Sequence, residues 1–235
     1  MTIRILCYNI HGGYDMGGVR DLSRVHALME EMKIDIGVFQ EVETRPSRGG
    51  TADDITSLSG VERPHHLAGL AMQEEGGWYG NLIVSRYPII RGMAHGLDTL
   101  AGLEPRNAID ALIQTPRGPL RIVGTHLSLL AAVRWQEVQK LLQLIGDAEA
   151  FETNPMLVMG DINEWRGGAR LLQHLNDSFI ALPAARTFPS CFPLFHLDRV
   201  WAHNVPQVDV QRLKTGRLRR LSDHLPLLIN VHDIR

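Results

Sequence analysis

A chain of 235 residues, 44% of them hydrophobic and 21% charged, has the composition of a globular protein and is long enough to bury a sizeable core. Its net charge of −2 excludes a general affinity for nucleic acid built on bulk positive charge. The two cysteines, Cys7 and Cys191, lie far apart and no Cys/His set has zinc spacing; a disulfide framework does not fit, and a reduced, cytoplasmic compartment does.

In chain order, residues 3–9 alternate as a strand that ends at Asn9, and HGGYDMGG follows as a loop. The opening run MTIRILCYNI is too short and too alternating for a signal peptide or a membrane span, so no integral membrane segment is expected. Asp21 is placed to cap a helix over 22–32, with Leu22, Val25, Leu28, Met29 and Met32 on one face. Residues 34–41 read as a strand ending at Gln40 and Glu41, and 44–62 as a polar loop with room for a short helix. Strands are predicted near 65–72, 79–85, 89–97, 107–114 and 119–126, separated by Gly76-Gly77, Pro88, Pro105 and the PRGP turn at 116–119.

A helix is predicted over 131–148, with Ala131, Trp135, Val138, Leu141, Leu142 and Ile145 on one face. The strand MLVMGD ends at Asp161, a helical stretch covers 168–175, and a proline-rich loop covers 183–193. Strands at 197–202, 207–213 and 225–231 close the chain. With no repeat, low-complexity tract or long linker, residues 1–235 are expected to form a single domain. Asn9, Glu41, His126, Asp161 and Asp198 all stand at the ends of apolar strands, where a packed sheet gathers loops on a rigid base. The pattern predicts an α/β protein of two packed sheets with helices outside.

Five segments carry chemistry: YNIHGG (8–13), FQEV (39–42), THLS (125–128), GDINEW (160–165) and SDHLP (222–226). Asp161 and Asn163 stand two apart, so on an extended segment they face the same side. Oxygen donors of the Asn, Glu and Asp type suit a hard divalent cation that keeps several of its waters. Taken singly each residue has an ordinary reading, such as a strand-end turn residue for Asn9, a surface charge for Glu41 or an Asx turn for Asp161 and Asn163.

Together, these segments resemble those of the endonuclease/exonuclease/phosphatase superfamily, which includes deoxyribonuclease I, apurinic endonucleases, neutral sphingomyelinases and inositol-polyphosphate 5-phosphatases. The resemblance runs from end to end in order, and GNLIVSRYPI, EPRNAI, RTFPS and LDRVW extend it. It implies a four-layer α/β sandwich, with two mixed sheets flanked by helices. It implies that Asn9 and Glu41 hold Mg2+ (Mn2+ being a possible substitute), with Asp223 at the same or a second metal position. Asp161 would orient or deprotonate the attacking water, and Asn163 would steady that water or the phosphate oxygens. His224, oriented by Asp198, would donate to the phosphate. His126 would make a second phosphate contact or assist the leaving group, Arg106 would neutralise charge nearby, and Asn81 would contact substrate.

The implied activity is a metal-dependent phosphoester hydrolase, chiefly a phosphodiesterase, acting on nucleic acid, phospholipid or a small phosphorylated molecule, with no obligate protein partner. His126 is like the deoxyribonuclease I, sphingomyelinase and 5-phosphatase branches. His11 stands where apurinic endonucleases carry an aspartate, and no tryptophan precedes Gly160-Asp161 as it does in 5-phosphatases. The whole set looks most like small bacterial members of uncharacterised substrate. A lipid- or inositol-phosphate-directed hydrolase is the alternative to a nuclease. An inactive scaffold is the remote one, and the completeness of the residue set argues against it. Trp135 is expected in the core, and Trp78 and Tyr79 lie near the expected mouth; the loop at 183–196, with Phe188, Phe192 and Phe195, is the candidate for the apolar rim that a lipid-directed enzyme needs, although these aromatics are expected rather to tuck inward. The basic run Arg212, Lys214, Arg217, Arg219 and Arg220 reads as a solvated loop.

Overall fold

The computed structural model describes residues 2–97, 102–146, 154–214 and 216–234. Its strands are β1 (Ile3–Asn9), β2 (Ile36–Glu43), β3 (His65–Glu74), β4 (Gly77–Ser85), β5 (Ile89–Gly96), β6 (Asn107–Thr115), β7 (Gly118–His126), β8 (Met156–Asp161), β9 (Ile180–Ala181), β10 (Asp198–His203), β11 (Gln207–Arg212) and β12 (Leu227–Asp233). The helices are α1 (Ser23–Glu31), α2 (Asp54–Ser59), α3 (Ala131–Gly146), α4 (Arg170–Ser178) and α5 (Leu218–Leu221). The strands form two six-stranded sheets, ordered β11-β12-β1-β2-β4-β3 and β5-β6-β7-β8-β10-β9.

Strand alternation explains the layering. In β1, Ile3, Ile5 and Cys7 face the second sheet and pack with Val38, Ile83, Ile109, Ile122, Leu157 and Met159. The intervening Leu6 and Tyr8 face outward, with Phe39, Leu82 and Val84, onto Val25, Leu28 and Met29 of α1. The second sheet does the same with Val123, Val158 and Trp201 against Val138 and Leu141 of α3 and Leu172 and Leu175 of α4. The result is the expected four-layer α/β sandwich. Trp135 is partly buried on the α3 side, as read from its helix face.

One parallel pair sits inside each sheet: β1 with β2, and β7 with β8. Parallel strands bring their C-terminal ends to the same edge, so Asn9 falls opposite Gln40 and His126 opposite Asp161. Antiparallel β10 starts at that edge, with Asp198 opposite Asp161. Gly160 allows the close crossing: its φ is 145°, and a side chain there would drive into the Thr125 carbonyl oxygen at 1.8 Å.

Strand and helix boundaries differ from the sequence reading by a few residues. Asp21 accepts the Ser23 N–H at 3.0 Å beside the first residue of α1. The predicted end of α3 at 148 lies outside the described residues. The short β9 and α5 carry too little periodicity to be read in advance. β2 continues past Glu41 to Glu43, because its pairing with β4 shifts register between Phe39 and Val42.

Candidate active site

The register shift in β2 is a β-bulge, and it turns Glu41 out of the ladder with a φ of 56°. Asn163 (53°) and His11 (50°) also have left-handed backbone, so three of the five described non-glycine residues with positive φ border the same spot. Such conformations are costly for residues with a side chain and concentrate where geometry serves function.

Asn9, buried at the end of β1, ties the two sheets together. Its Nδ2 donates to Glu41 Oε1 at 2.9 Å and to Asp161 Oδ2 at 3.0 Å. Asn9 Oδ1 accepts the His11 N–H at 3.1 Å. The His11 Nδ1 lies 3.7 Å from both Glu41 Oε2 and Asp223 Oδ1, which brings those two carboxylates to a common centre. Burial, then the neighbouring charge of Asp223, raises the Glu41 carboxyl above the ordinary carboxylate range, against a lowering by the Asn9 hydrogen bond. Oxygen donors crowded against an electrostatic penalty fit a divalent cation, which removes that penalty on binding.

Four nitrogen donors converge opposite this carboxylate pair. His224 Nδ1 meets Asp198 Oδ2 at 2.8 Å, which leaves Nε2 3.5 Å from Asp161 Oδ2. Burial alone would lower the His224 pKa, but Asp198 and Asp161 outweigh it and push it up to about 10, so the ring is cationic at neutral pH. His126 behaves oppositely: burial, then Arg106 and His224, hold it well below 6.5, so its ring is neutral. Arg106 Nη1 lies 3.3 Å from His126 Nδ1, and Asn163 Nδ2 lies 3.1 Å from His126 Nε2. A neutral imidazole carries a hydrogen on one nitrogen, so it cannot accept from both groups. The cluster therefore holds more donors than acceptors.

Asp161 lies between the two halves, with its Oδ1 accepting the Asn163 N–H at 3.0 Å. Burial first, with Asp198 adding, raises it to about 6, although His224 pulls the other way. Asn163 Nδ2 also donates to the Leu127 carbonyl at 2.8 Å. Asn81 is buried: its Nδ2 bonds the Asn107 carbonyl at 3.0 Å and side-chain oxygen at 2.8 Å, and it lines a small cavity shared with Glu41, Arg106 and His126. Thus each candidate site residue named from the sequence lies in or beside one cluster of side chains.

The sequence reading missed the supports of this site. Glu137 accepts both the N–H (2.8 Å) and the hydroxyl (2.5 Å) of Ser128, and Arg134 Nη2 donates to Glu164 at 3.0 Å. Ser128 lies two positions from His126 and Glu164 one from Asn163; the available signal was that Arg134 and Glu137 stand four residues before Val138 and Leu141, on the side of the helix that those residues bury. One expectation is corrected. Phe188 and Phe195 are half-buried, but Phe192 is 69% exposed, because the 188–195 segment folds as a hairpin whose tip points to solvent.

Acids, amides and imidazoles gathered at one edge of a two-sheet α/β sandwich have the donors and acceptors that phosphoester hydrolysis requires. The chain belongs to the endonuclease/exonuclease/phosphatase family, whose sequence model matches residues 6–224. It is similar to the uncharacterized protein YbhP of Escherichia coli (strain K12), at 32% identity over 98% of this chain and 96% of YbhP. Among solved structures it is similar to an endonuclease/exonuclease/phosphatase from Beutenbergia cavernae, with a TM-score of 0.78 and 22% identity over 97% of this chain and 71% of that one. A Bacteroides vulgatus member gives a TM-score of 0.74 and 18% identity over 98% of both chains. Members of the family generally use divalent metal ions.

Proposed function

We propose that the protein is a Mg2+-dependent phosphodiesterase. The observation that carries this reading is the pairing of an oxygen-rich, electrostatically penalised centre (Glu41, Asp223) with a donor-rich one (Arg106, His126, Asn163, His224) across Asp161. A phosphodiester anion matches both halves. Glu41 and Asp223 would hold the cation, with Asn9 at the same centre. When bound, the cation acts as a Lewis acid on the phosphoryl oxygens and offsets the charge that builds there.

The protein groups do the rest. Asp161, raised to about 6, takes the proton of the attacking water on Oδ2, and Asn9 Nδ2 fixes that oxygen. His224, kept protonated and aimed by Asp198, donates from Nε2 to a phosphoryl oxygen. Asn163 and neutral His126 donate to the remaining oxygens, and Arg106 adds positive charge behind them. Asn81 holds the wall next to Arg106.

The test is hydrolysis of bis-p-nitrophenyl phosphate by purified protein with Mg2+, Mn2+ or EDTA, extended to plasmid DNA, phospholipids and inositol phosphates. Hydrolysis is expected with either ion and not with EDTA. Asp161→Asn and His224→Ala are each expected to lower kcat by about 10²-fold or more, as for loss of a positioned acid or base. Wild-type turnover by either variant would overturn the assigned roles.

A further inference from the structure

An apolar rim borders one flank of the site and nothing in the catalytic reading uses it. It has three parts. Phe188 and Phe195 pair as the base of a hairpin, and the Phe188 ring lies 4.9 Å from that of His224. Trp165 stacks edgewise on both, at 5.6 Å and 4.6 Å between centroids, and remains 42% exposed. The hairpin tip then presents Phe192 (69% exposed) and Leu194 (46%).

The third part is the loop after β7, where Leu129 (65%) and Leu130 (54%) stand exposed. Arg134 ties this loop to the Trp165 segment, donating to the Leu129 carbonyl and to Glu164. Five of the large hydrophobic side chains that the described residues leave exposed thus sit on three neighbouring loops beside the catalytic histidines. A soluble surface rarely gathers apolar side chains in this way without using them.

The exposed charge on the three rim segments is basic, the one acid among them, Glu164, being buried. No acidic residue occurs from 178 to 197 or from 111 to 136. Exposed Arg186 opens the hairpin, Arg166 follows Trp165 and stays 73% exposed although it reaches buried Glu164 at 3.4 Å, and Ser190 anchors the hairpin to the carbonyl of exposed Arg219 at 3.0 Å. The opposite flank is different in kind. There, a cleft of about 510 Å3 is lined by polar and charged groups, among them His11, Glu43, Arg45, Arg48, Tyr79 and Glu104.

We infer that the rim docks on an anionic lipid bilayer, with Phe192 and Leu194 entering the interface and the flanking arginines facing lipid headgroups. Aromatic and leucine side chains gain free energy by leaving water at that depth, and basic residues add attraction that salt screens. Docking there brings the catalytic histidines to the headgroup layer and leaves the polar cleft open to water. The inference stands on the surface alone and holds whether or not the chain is a phosphodiesterase.

The sequence supplies its own probe, because Cys191 at the hairpin tip is exposed while Cys7 is buried. We would attach a polarity-sensitive fluorophore to Cys191 and mix the full chain, in EDTA to stop turnover, with vesicles of phosphatidylcholine with or without phosphatidylglycerol. Blue-shifted emission and co-sedimentation are expected with the anionic vesicles and should weaken with added salt. Phe192→Ser with Leu194→Ser should lower the partition coefficient by about tenfold or more. Arg166→Gln with Arg186→Gln should lower it on anionic vesicles only. Unshifted emission with no sedimentation would overturn the proposal. So would equal partition of the Phe192/Leu194 variant, or a concentration-dependent dimer lost in that variant, which would mean that a second copy covers the rim. Hydrolysis of soluble substrate by the same variants, with Mg2+ restored, reports separately on the catalytic reading.

Discussion

At the scale of single residues, the two histidines of the site differ because their partners differ. Both rings come near Asp161, at 3.5 Å for His224 and 3.6 Å for His126, but the His224 Nδ1 meets buried Asp198 at 2.8 Å whereas the His126 Nδ1 has Arg106 against it. Replacing Asp198 by Asn keeps the shape and removes the charge that holds the His224 proton. The His224 pKa, about 10 in the native protein, should then fall toward or below the ordinary imidazole value of 6.5, because burial would no longer be offset. Asp198→Asn should therefore lose activity as pH rises through neutrality, while the native enzyme holds its activity well into the alkaline range. A kcat/KM profile against pH on both proteins checks this, and an unshifted alkaline limb would remove Asp198 from the role of positioning residue.

Elements decide how these residues meet, and here the sequence was uneven as a guide. The strand ends carrying Asn9, His126, Asp161 and Asp198 were legible, because an apolar run stops at each of the first three and starts just after Asp198. The bulge that turns Glu41 was not, since the chain runs on as strand and only the pairing with β4 reveals the shift. The Arg134–Glu164 pair was also hidden: its partners come from α3 and from the loop after β8, thirty residues apart. Both side chains are almost fully buried, so removing Arg134 leaves Glu164 Oε2 without its cation and only Oε1 still held by Arg166. Arg134→Met should cost about 3–5 kcal/mol in urea unfolding, as for other broken buried pairs. It should also reduce kcat, because it frees the loops that carry His126 and Asn163. Adding Glu164→Gln should recover part of the stability, and a simple sum of the two single losses would argue against coupling.

For the whole molecule, the sandwich brings like charges together from both sheets, and the cost appears as a dependence of stability on pH. Asp161 titrates near 6 in the folded chain against an ordinary 3.8. Between these values the folded chain keeps a proton that the unfolded chain has released, so stability falls as pH rises through that window. His224 acts in the same direction. Its folded pKa of about 10 exceeds the ordinary 6.5, so its contribution is complete below 6.5 and is lost as pH climbs toward 10. A divalent cation held by Glu41 and Asp223 would replace the missing positive charge, and its effect should grow where the carboxylates are fully ionised. At saturating Mg2+, about a hundred times Kd, ligand linkage alone contributes about 2.7 kcal/mol. For a chain of this size that corresponds to a Tm rise of roughly 5–10 °C. The rise over EDTA should be larger at pH 8 than at pH 5, where protons compete for the same oxygens. Scanning calorimetry at both pH values tests it. Equal Tm values with Mg2+ and EDTA at pH 8 would mean that the carboxylates at this sheet edge hold no cation, and the two-centre reading of the site would fall with them.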